Sequence, residues 1–405
     1  MLFLLLAACT LAHTPCTPAL VVPDDVGMSA ERLAAIDRVA RLGLGADGYP
    51  GAAVVVGRHG GLVWSRGYGA LDWGSRSAPV SPERTMYDLA SLTKVVATTT
   101  AIMVLYDEGK LRLDDPVARW LPAYRTGAKR RVTIRMLLEH RSGLPAGRPL
   151  WRQARTPRAA RRLVLATPLA YPPGTAQLYS DLGADVLGFV VEAIAHESLD
   201  AFLARRVYRP LGMRSTRFRP PRSMRARIAP TEVSPPRGHP LRGEVHDEDA
   251  WALGGVAGHA GLFSTATDLA IFAEMMLRGG SYGGRRIVRP STVALFTRRS
   301  AGWRALGWET CAGGASCGQH MSERAYGHTG FTGTSLWIDP DHDLFVIVLA
   351  NRIHERPDGR TPPNAVLADV RADIADIAEL AITDDAIAEP MPVALRADRA
   401  IGWGW

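Results

Sequence analysis

The chain has 405 residues, of which 47% are hydrophobic and 22% are charged. These proportions are typical of a globular protein and exclude a fibre or a disordered chain. The formal net charge of +8 comes from arginine, because only Lys94, Lys110 and Lys129 are lysines. The arginines are scattered, without zinc-finger spacing or an RNA-binding aromatic run, so we expect no nucleic-acid partner.

The first nine residues form a short apolar run that ends in small residues and Cys9. Such a run is too short to span a bilayer and is typical of the end of a secretory signal. Residues 6–9 (Leu-Ala-Ala-Cys) also resemble a bacterial lipobox, although no positively charged segment precedes them. We therefore expect a leader and spacer over residues 1–20 of an exported protein of the periplasm or cell envelope, with Cys9 as its candidate lipid anchor.

The predicted elements place strands near both ends of the chain and helices between them. In chain order, they are a helix (29–41, with Ser29 as N-cap), two hairpin strands (51–56 and 62–65), four helices (91–108, 132–140, 182–195 and 268–277), two further strands (335–338 and 344–349) and a last helix (365–380). This order predicts an α+β fold, in which an antiparallel sheet built from the N- and C-terminal parts is flanked by helices, with an inserted mainly helical region. The Arg- and Pro-rich stretch 217–237 is predicted to be a surface excursion.

Cys311 and Cys317 flank five small residues, and in an oxidising compartment they could form a disulfide. His320 lies nearby, but no further cysteine or histidine pair has zinc-site spacing, so no metal is expected. Residues 246–249 and 258–261 group acidic and imidazole side chains. Together, these two segments form either a wall of a substrate cleft or a hydrogen-bonded structural loop.

Ser91-Leu92-Thr93-Lys94 is a serine-x-x-lysine sequence at the start of the first long predicted helix. Residues i and i+3 share one face of a helix, so the amine of Lys94 can reach the hydroxyl of Ser91. The helix N-terminus favours negative charge there, and a lysine can help to activate a serine nucleophile. The pattern alone is common by chance, and it equally describes a helix end with a solvated lysine.

Two further groups of residues support the interpretation of Ser91 and Lys94 as a catalytic pair. Tyr179-Ser180-Asp181 follows a Pro-Pro-Gly turn and precedes a helix, which predicts a position on a loop. His328-Thr329-Gly330 precedes a predicted strand. Gly327, Gly330 and Gly333 are predicted to let a substrate approach the backbone closely.

In this order, the three groups resemble the motifs of the serine β-lactamase and D,D-peptidase superfamily. That superfamily includes class C β-lactamases, low-molecular-mass penicillin-binding proteins and esterases. The flanking residues 137–145 and 261–265 are similar to those enzymes as well. The resemblance implies one serine hydrolase domain over residues 24–385, with an α/β part at 24–95 and 300–385, a helical part at 96–299, and a tail at 386–405.

By the same resemblance, Ser91 would form an acyl-enzyme with Lys94 as its proton partner. Tyr179 would relay protons to the leaving group and help to activate the deacylating water. The backbone N–H groups of Ser91 and Phe331 would form an oxyanion hole. The resemblance implies no cofactor, and the substrate-binding positions it implies are Asp181, His328, Thr329, Gly330 and Phe331.

Two positions depart from the family pattern. Asp181 stands where asparagine is usual, which adds a carboxylate and removes an N–H donor. His328 replaces a lysine, so a permanent cation becomes a group with an unperturbed pKa of about 6.5. Because both changes make the site less positive, we expect weak recognition of a substrate carboxylate, poor β-lactam turnover, and better use of esters or amidated peptides.

The sequence thus indicates an exported, monomeric serine hydrolase that acts on a small molecule or a peptide, with D-amino-acid peptides and peptidoglycan fragments as the first expectation. Two alternatives stay open: an esterase of small acyl esters, and a sensor domain that penicillin acylates without turnover. The Gly-x-Ser-x-Gly matches at residues 279–283 and 314–318 lack the strand-turn-helix context of an α/β-hydrolase.

Overall fold

The computed structural model describes residues 17–234, 236–313, 316–384, 390–392 and 394–398. Cys9, the rest of residues 1–16 and part of the predicted tail lie outside them. The α-helices are α1 (Ala30–Leu33), α2 (Ala35–Gly45), α3 (Thr100–Asp107), α4 (Ile134–Leu138), α5 (Leu150–Gln153), α6 (Pro157–Ala166), α7 (Asp181–Ala195), α8 (Leu199–Leu203), α9 (Arg209–Leu211), α10 (Glu248–Ala252), α11 (Ala266–Leu277), α12 (Pro290–Thr297) and α13 (Asn364–Leu380).

The strands are β1 (Gly51–Arg58), β2 (Gly61–Gly69), β3 (Tyr87–Asp88), β4 (Arg217–Phe218), β5 (Val233–Ser234), β6 (His239–Pro240), β7 (Leu262–Ser264), β8 (Ser281–Tyr282), β9 (Arg285–Arg286), β10 (Glu309–Thr310), β11 (Tyr326–Gly330), β12 (Thr334–Asp339) and β13 (Leu344–Ala350). Two π-helical turns lie at Lys94–Thr99 and Ala204–Tyr208, and 3-10 turns lie at Pro23–Val26, Val117–Arg119, Pro122–Tyr124, Gly127–Arg131, Arg222–Arg227 and Cys311–Gly313.

Six strands form the main antiparallel sheet, in the order β10-β11-β12-β13-β1-β2. The N-terminal hairpin joins the C-terminal strands through β1 and β13, where Val54 lies opposite Val348. These two residues face a core that includes α2 and α13, whereas Val55 and Ile347 face the core that includes α11. Because strand side chains alternate between the faces of a sheet, both faces are covered. The predicted α+β fold with a sheet built from both ends of the chain is confirmed.

Several local predictions are confirmed with changed boundaries. Ser29 caps α1, since its hydroxyl accepts a hydrogen bond from the Arg32 N–H at 3.2 Å, but the predicted helix is divided into α1 and α2. The helix predicted over residues 91–108 begins with the π-helical turn, all six residues of which are buried. Such turns are rare and occur often at functional sites. Cys311 and Cys317 form a disulfide, with Cα atoms 5.9 Å apart.

The predicted surface excursion at residues 217–237 is wrong in part. Residues Arg217–Phe218 form β4, which pairs with β7. Ile228 is fully buried and packs with Met86 and Phe263. Ile228 of this Arg-rich stretch therefore packs beside the start of β3, close in the chain to the candidate nucleophile. Within the described residues, no helix combines the length and the apolar character that crossing a membrane requires.

Candidate active site

Ser91 lies at a tight turn between β3 and the π-helical turn. Ala90, immediately before it, has a φ of 46°, a conformation uncommon for a residue with a side chain. The Ala90 N–H donates to Asp88 Oδ1 at 2.9 Å, which holds this conformation. The N–H of Lys94 donates to the Ser91 carbonyl at 3.0 Å, closing a turn of three residues. The turn places the side chains of Ser91 and Lys94 on the same side.

The ammonium of Lys94 is buried among three oxygen atoms. It donates to Ser91 Oγ at 2.9 Å and to the His259 carbonyl at 3.2 Å, and it forms an ion pair with Asp181 Oδ1 at 2.7 Å. Burial alone would lower the pKa of Lys94, but the Asp181 carboxylate and the Tyr179 phenol outweigh burial and raise it. Lys94 is therefore a cation at neutral pH, so another group must take the serine proton.

Asp181 is the first residue of α7 and not part of a loop, as was predicted for the Tyr-Ser-Asp motif. The helix begins one residue earlier than expected because Ser180 is its N-cap and accepts a hydrogen bond from the Gly183 N–H at 3.1 Å. Burial would raise the pKa of Asp181, but the charge of Lys94 lowers it overall. The carboxylate is thus ionised and directed to Lys94.

The Tyr179 ring lies between two cations. Its centre is 4.8 Å from Lys94 Nζ and 5.1 Å from Arg304 Cζ. The His140 ring packs against it at 4.7 Å, and His140 Nδ1 accepts a hydrogen bond from the Ser180 N–H at 3.1 Å, which fixes the segment that carries the phenol. The two cations stabilise negative charge that develops on the phenol oxygen. Tyr179 is therefore the candidate proton acceptor.

The His-Thr-Gly motif lies on β11, whose end packs against the segment after β3. The Thr334 hydroxyl donates to the Leu89 carbonyl at 3.0 Å. A Cβ atom on Gly330 would lie 2.4 Å from that carbonyl oxygen. The glycine thus allows the close approach of the protein's own backbone, whereas its predicted role in substrate approach stays a prediction. Gly327 and Gly333 likewise lie against backbone carbonyls of β12 and β13.

Phe331 follows β11, and its side chain is 62% exposed and stacks on His246 with ring centres 5.6 Å apart. In the part of the chain that the structure describes, the N–H groups of Phe331 and Ser91 donate no hydrogen bond. Both groups are free to bind an oxyanion, as the resemblance implies. The docking of β11 against the residue before Ala90 brings them to one cleft.

His328 is buried and neutral. Burial lowers the pKa of His328, and although Glu309 opposes this, the charges of Arg304 and Lys94 add to it, giving a value of about 4. Nδ1 of His328 donates to the Thr329 carbonyl at 2.7 Å, and Nε2 lies 3.8 Å from Glu309. Glu309 also pairs with Arg304 at 3.0 Å. Arg304 thus adds, beside Tyr179, a positive charge that the motif comparison does not include.

His259 lies behind Lys94, between two carboxylates. Its Nδ1 lies 2.7 Å from Asp185 Oδ1, and its Nε2 lies 2.9 Å from Asp247 Oδ1. Burial would lower the pKa of His259, but both carboxylates outweigh burial and raise it well above the ordinary value. The histidine is therefore an imidazolium. The two predicted groups thus lie at the start of α10 and in the hydrogen-bonded loop 258–261, and the His259 carbonyl in that loop accepts a hydrogen bond from the ammonium of Lys94.

The active-site positions of His140 and Arg304 and the side-chain pairings of His259 were not predicted. No spacing connects these residues to Ser91, because the chain brings them together from separate loops. The one signal that pointed to any of them is the grouping of acids and histidines at residues 246–261.

Away from the cleft, Asp339, His342 and Glu379 bring their ligand atoms within 4.8 Å of one another, as in a metal site. His342 Nδ1 lies 2.7 Å from Glu379 Oε2 and 3.4 Å from Asp339 Oδ2. Hydrogen bonds to both acids raise the pKa of His342, and burial raises that of Glu379 to about 8. The three side chains thus satisfy one another, and the group links the β12–β13 turn to α13.

Comparison with known proteins agrees with this geometry. Residues 36–370 match the profile of the Beta-lactamase family. The chain is 34% identical over 375 residues to a Salmonella typhimurium protein named "Putative D-alanyl-D-alanine carboxypeptidase". The match covers 82% of this chain and 85% of the relative.

Two solved structures are similar over nearly their whole length. A penicillin-binding protein homologue from Caulobacter crescentus has a TM-score of 0.70 at 22% identity and covers 88% of this chain and 99% of its own. EstCE1, a hydrolase with promiscuous acyltransferase activity, has a TM-score of 0.67 at 25% identity and covers 86% of this chain and 99% of its own.

Proposed function

The chain belongs to the beta-lactamase family and is a serine hydrolase of the β-lactamase and D,D-peptidase type, and from this premise we propose that it cleaves D-amino-acid peptides of the cell-wall type as a carboxypeptidase or endopeptidase. The observation that carries the proposal is the convergence of Ser91, Lys94 and Tyr179 in one cleft. The printed name of the Salmonella relative supports this substrate class.

In the proposed reaction, Ser91 Oγ attacks the scissile carbonyl carbon. Its proton passes to the phenol oxygen of Tyr179 while the phenol passes its own proton to the leaving amine, so that Tyr179 acts as a relay. Lys94 and Arg304 stabilise negative charge on the phenol oxygen during the transfer, and the N–H groups of Ser91 and Phe331 stabilise the oxyanion. The C–N bond breaks, the amine leaves, and the acyl group stays on Ser91. Water then attacks this ester, and the same relay moves a water proton through Tyr179 to Ser91 Oγ, which releases the acid and restores the serine.

The test is intact-mass spectrometry of the protein, together with mass analysis of the released products, after exposure to penicillin, p-nitrophenyl esters and muropeptides, with Ser91→Ala as the control. We expect the wild type to release D-alanine from muropeptides that end in D-alanyl-D-alanine, and the variant to release none. Ester cleavage without muropeptide cleavage would contradict the peptidase and favour the esterase. A permanent penicillin adduct without any turnover would favour the sensor.

The esterase is the second candidate because of the apolar rim of the cleft. Leu178 and Trp303 are exposed large hydrophobic residues directly before Tyr179 and Arg304 in the chain, and Phe331, which is also exposed, follows β11. The similarity to EstCE1 supports the same activity. Apolar acyl groups would bury this rim on binding.

We also propose slow β-lactam turnover, because the carboxylate of Asp181 offers no N–H donor to the acylamino carbonyl of a penicillin. Because Asp181→Asn also removes the ion partner of Lys94, the expected result is a ratio: kcat/KM for benzylpenicillin relative to kcat/KM for a p-nitrophenyl ester should rise by about tenfold, as for one gained hydrogen bond to a polar group. Steady-state hydrolysis with purified protein measures this. Wild-type turnover of benzylpenicillin as fast as that of a D-alanyl-D-alanine peptide would refute the proposal.

We propose further that the protein is exported to the cell envelope, where such peptides occur, and tethered there through Cys9. Mass analysis of the protein extracted from the producing cells would show a lipid on Cys9, and a Cys9→Ala variant would leave the membrane fraction.

A further inference from the structure

Two buried arginines lie at the end of β11 beyond Phe331. Arg352 is on the segment after β13, and Arg371 is on α13; they are 7% and 6% exposed. The guanidinium carbon of Arg352 lies 4.9 Å from the centre of the Phe331 ring. Arg371 Nη2 donates to the carbonyls of Gly330 and Thr334 at 3.3 and 2.8 Å. Both cations therefore adjoin the residue whose N–H faces the reacting carbonyl.

Neither guanidinium has a carboxylate at ion-pair distance among the described residues, and that of Arg352 makes no hydrogen bond there. Glu232 is the acid that acts on Arg352, but its carboxylate is bonded to His246 Nε2 at 2.7 Å. Burial and the charge of Arg352 lower the pKa of Arg371 to about 9. A buried charge without a partner is costly, so the pair is unlike an ordinary structural arginine.

Arginines buried to the same degree elsewhere do have carboxylate partners. Arg58 lies 2.7 Å from Asp384, and Arg304 lies 3.0 Å from Glu309. The absence of a partner is thus specific to the end of β11 and not general to this Arg-rich chain. An anion that arrives from outside would supply the missing charge.

The position of Arg352 indicates which half of the substrate carries that anion. Tyr179, which protonates the leaving group in the proposed reaction, lies beside His328, with ring centres 6.0 Å apart. Phe331 and Arg352 lie at the opposite end of the motif. A substrate that spans Ser91 therefore directs its leaving group towards His328 and its acyl group towards Arg352.

We infer that Arg352 binds a free carboxylate on the acyl side of the substrate, with Arg371 adding positive charge from behind. The planar guanidinium matches a carboxylate with two parallel hydrogen bonds. The preferred substrate is thus a peptide with an acidic residue, or an equivalent carboxylate, in its acyl part. This inference rests on the proposed acyl-enzyme and names the substrate class of the same site.

The test compares N-succinyl-D-alanyl-D-alanine with N-butyryl-D-alanyl-D-alanine, which differ at the end of the acyl group by a carboxylate in place of a methyl. We expect the wild type to prefer the succinyl peptide by about tenfold or more in kcat/KM, as for hydrogen bonds to a charged group. Arg352→Gln should remove the preference, read as the ratio of the two kcat/KM values, while Arg352→Lys should keep only part of it. Equal preference in the wild type and in Arg352→Gln would overturn the inference.

Arg360→Gln is the matched control, because Arg360 lies on the same segment and its side chain is 60% exposed; its preference should equal that of the wild type. If the wild type cleaves neither peptide, the proposed peptidase function fails. The corresponding p-nitrophenyl esters of N-succinyl- and N-butyryl-D-alanine, read as acylation of Ser91 by mass, then decide the role of Arg352 separately. Equal acylation by the two esters would overturn it.

Discussion

Among the described residues, buried cations have carboxylate partners at one end of the cleft and none at the other. Around Lys94, each buried cation faces a carboxylate: Lys94 pairs with Asp181, and His259 lies between Asp185 and Asp247. At the end of β11, Arg352 and Arg371 are buried to a similar degree without any such partner among the described residues.

This difference separates positioning from recognition. A buried ion pair with satisfied hydrogen bonds holds its members in one geometry, and removing one member leaves an uncompensated charge. A buried cation without a partner instead weakens the fold until a ligand neutralises it. The nucleophile end is therefore built for fixed geometry, and the β11 end for binding an anion.

The largest expected effect comes from removing the cation at the nucleophile end. Lys94→Ala deletes the donor to Ser91 Oγ and leaves Asp181 without its partner. We expect kcat/KM for a D-alanyl-D-alanine peptide to fall by about 10³-fold, the usual range for a proton-transfer and electrostatic partner. Steady-state assays measure the loss, and circular dichroism checks the fold. Activity within tenfold of the wild type would contradict the role of this cation.

Removing the His259 imidazolium from between Asp185 and Asp247 should mainly lower the free energy of unfolding. His259→Gln leaves Asp185 and Asp247 without their shared cation, and we expect the free energy of unfolding to fall by about 3–5 kcal/mol. Urea titration measures it. His239→Gln is the control, because His239 is exposed and pairs with Glu244 at 3.1 Å; a change of at most about 0.5 kcal/mol is expected there. Equal losses in the two variants would mean that the ion pairs of His259 do not stabilise the fold.

The neutral His328 makes a pH-dependent contribution to stability. Its folded-state pKa of about 4 lies below the unfolded value of about 6.5. Between these values the unfolded chain binds a proton that the folded chain does not, so stability falls as the pH falls through this window. The contribution lost is roughly 3 kcal/mol. The difference between the wild type and His328→Gln in unfolding free energy, measured from pH 7 to pH 4, should change by this amount; parallel curves would contradict it.

The parts of this site that sequence could predict are local in the chain. The Ser91–Lys94 contact follows from a turn of three residues, and the β1–β2 hairpin and the β12–β13 pair follow from apolar strands around short turns. The resemblance then placed Tyr179 correctly beside Lys94, because the three motifs keep their order.

The parts that could not be predicted depend on packing between distant segments. Arg304 and Asp247 reach the site from loops, and Asp185 reaches it from α7, with no fixed spacing to Ser91. The conformation of Ala90 depends on Asp88, and the start of α7 at Asp181 depends on which of two polar residues caps the helix. Neither of these can be decided without the surrounding structure.

The smallest expected effect is the most direct test of the comparison. Arg371→Met removes two hydrogen bonds to the Gly330 and Thr334 carbonyls, each contributing about 0.5–1.5 kcal/mol, but it also removes the cost of burying an unpaired cation. Because the two effects oppose each other, we expect the unfolding free energy without ligand to change by no more than about 1 kcal/mol.

Arg58→Met provides the matched measurement. Arg58 is equally buried, but it donates to the Val26 and Gly27 carbonyls at 2.6 and 2.9 Å and pairs with Asp384 at 2.7 Å. Since its charge is compensated, nothing offsets the lost hydrogen bonds, and a loss of about 3 kcal/mol is expected. If Arg371→Met loses as much as Arg58→Met in urea titration, the charge at the end of β11 is already neutralised within the protein. Arg371 would then offer no unpaired positive charge to a bound anion.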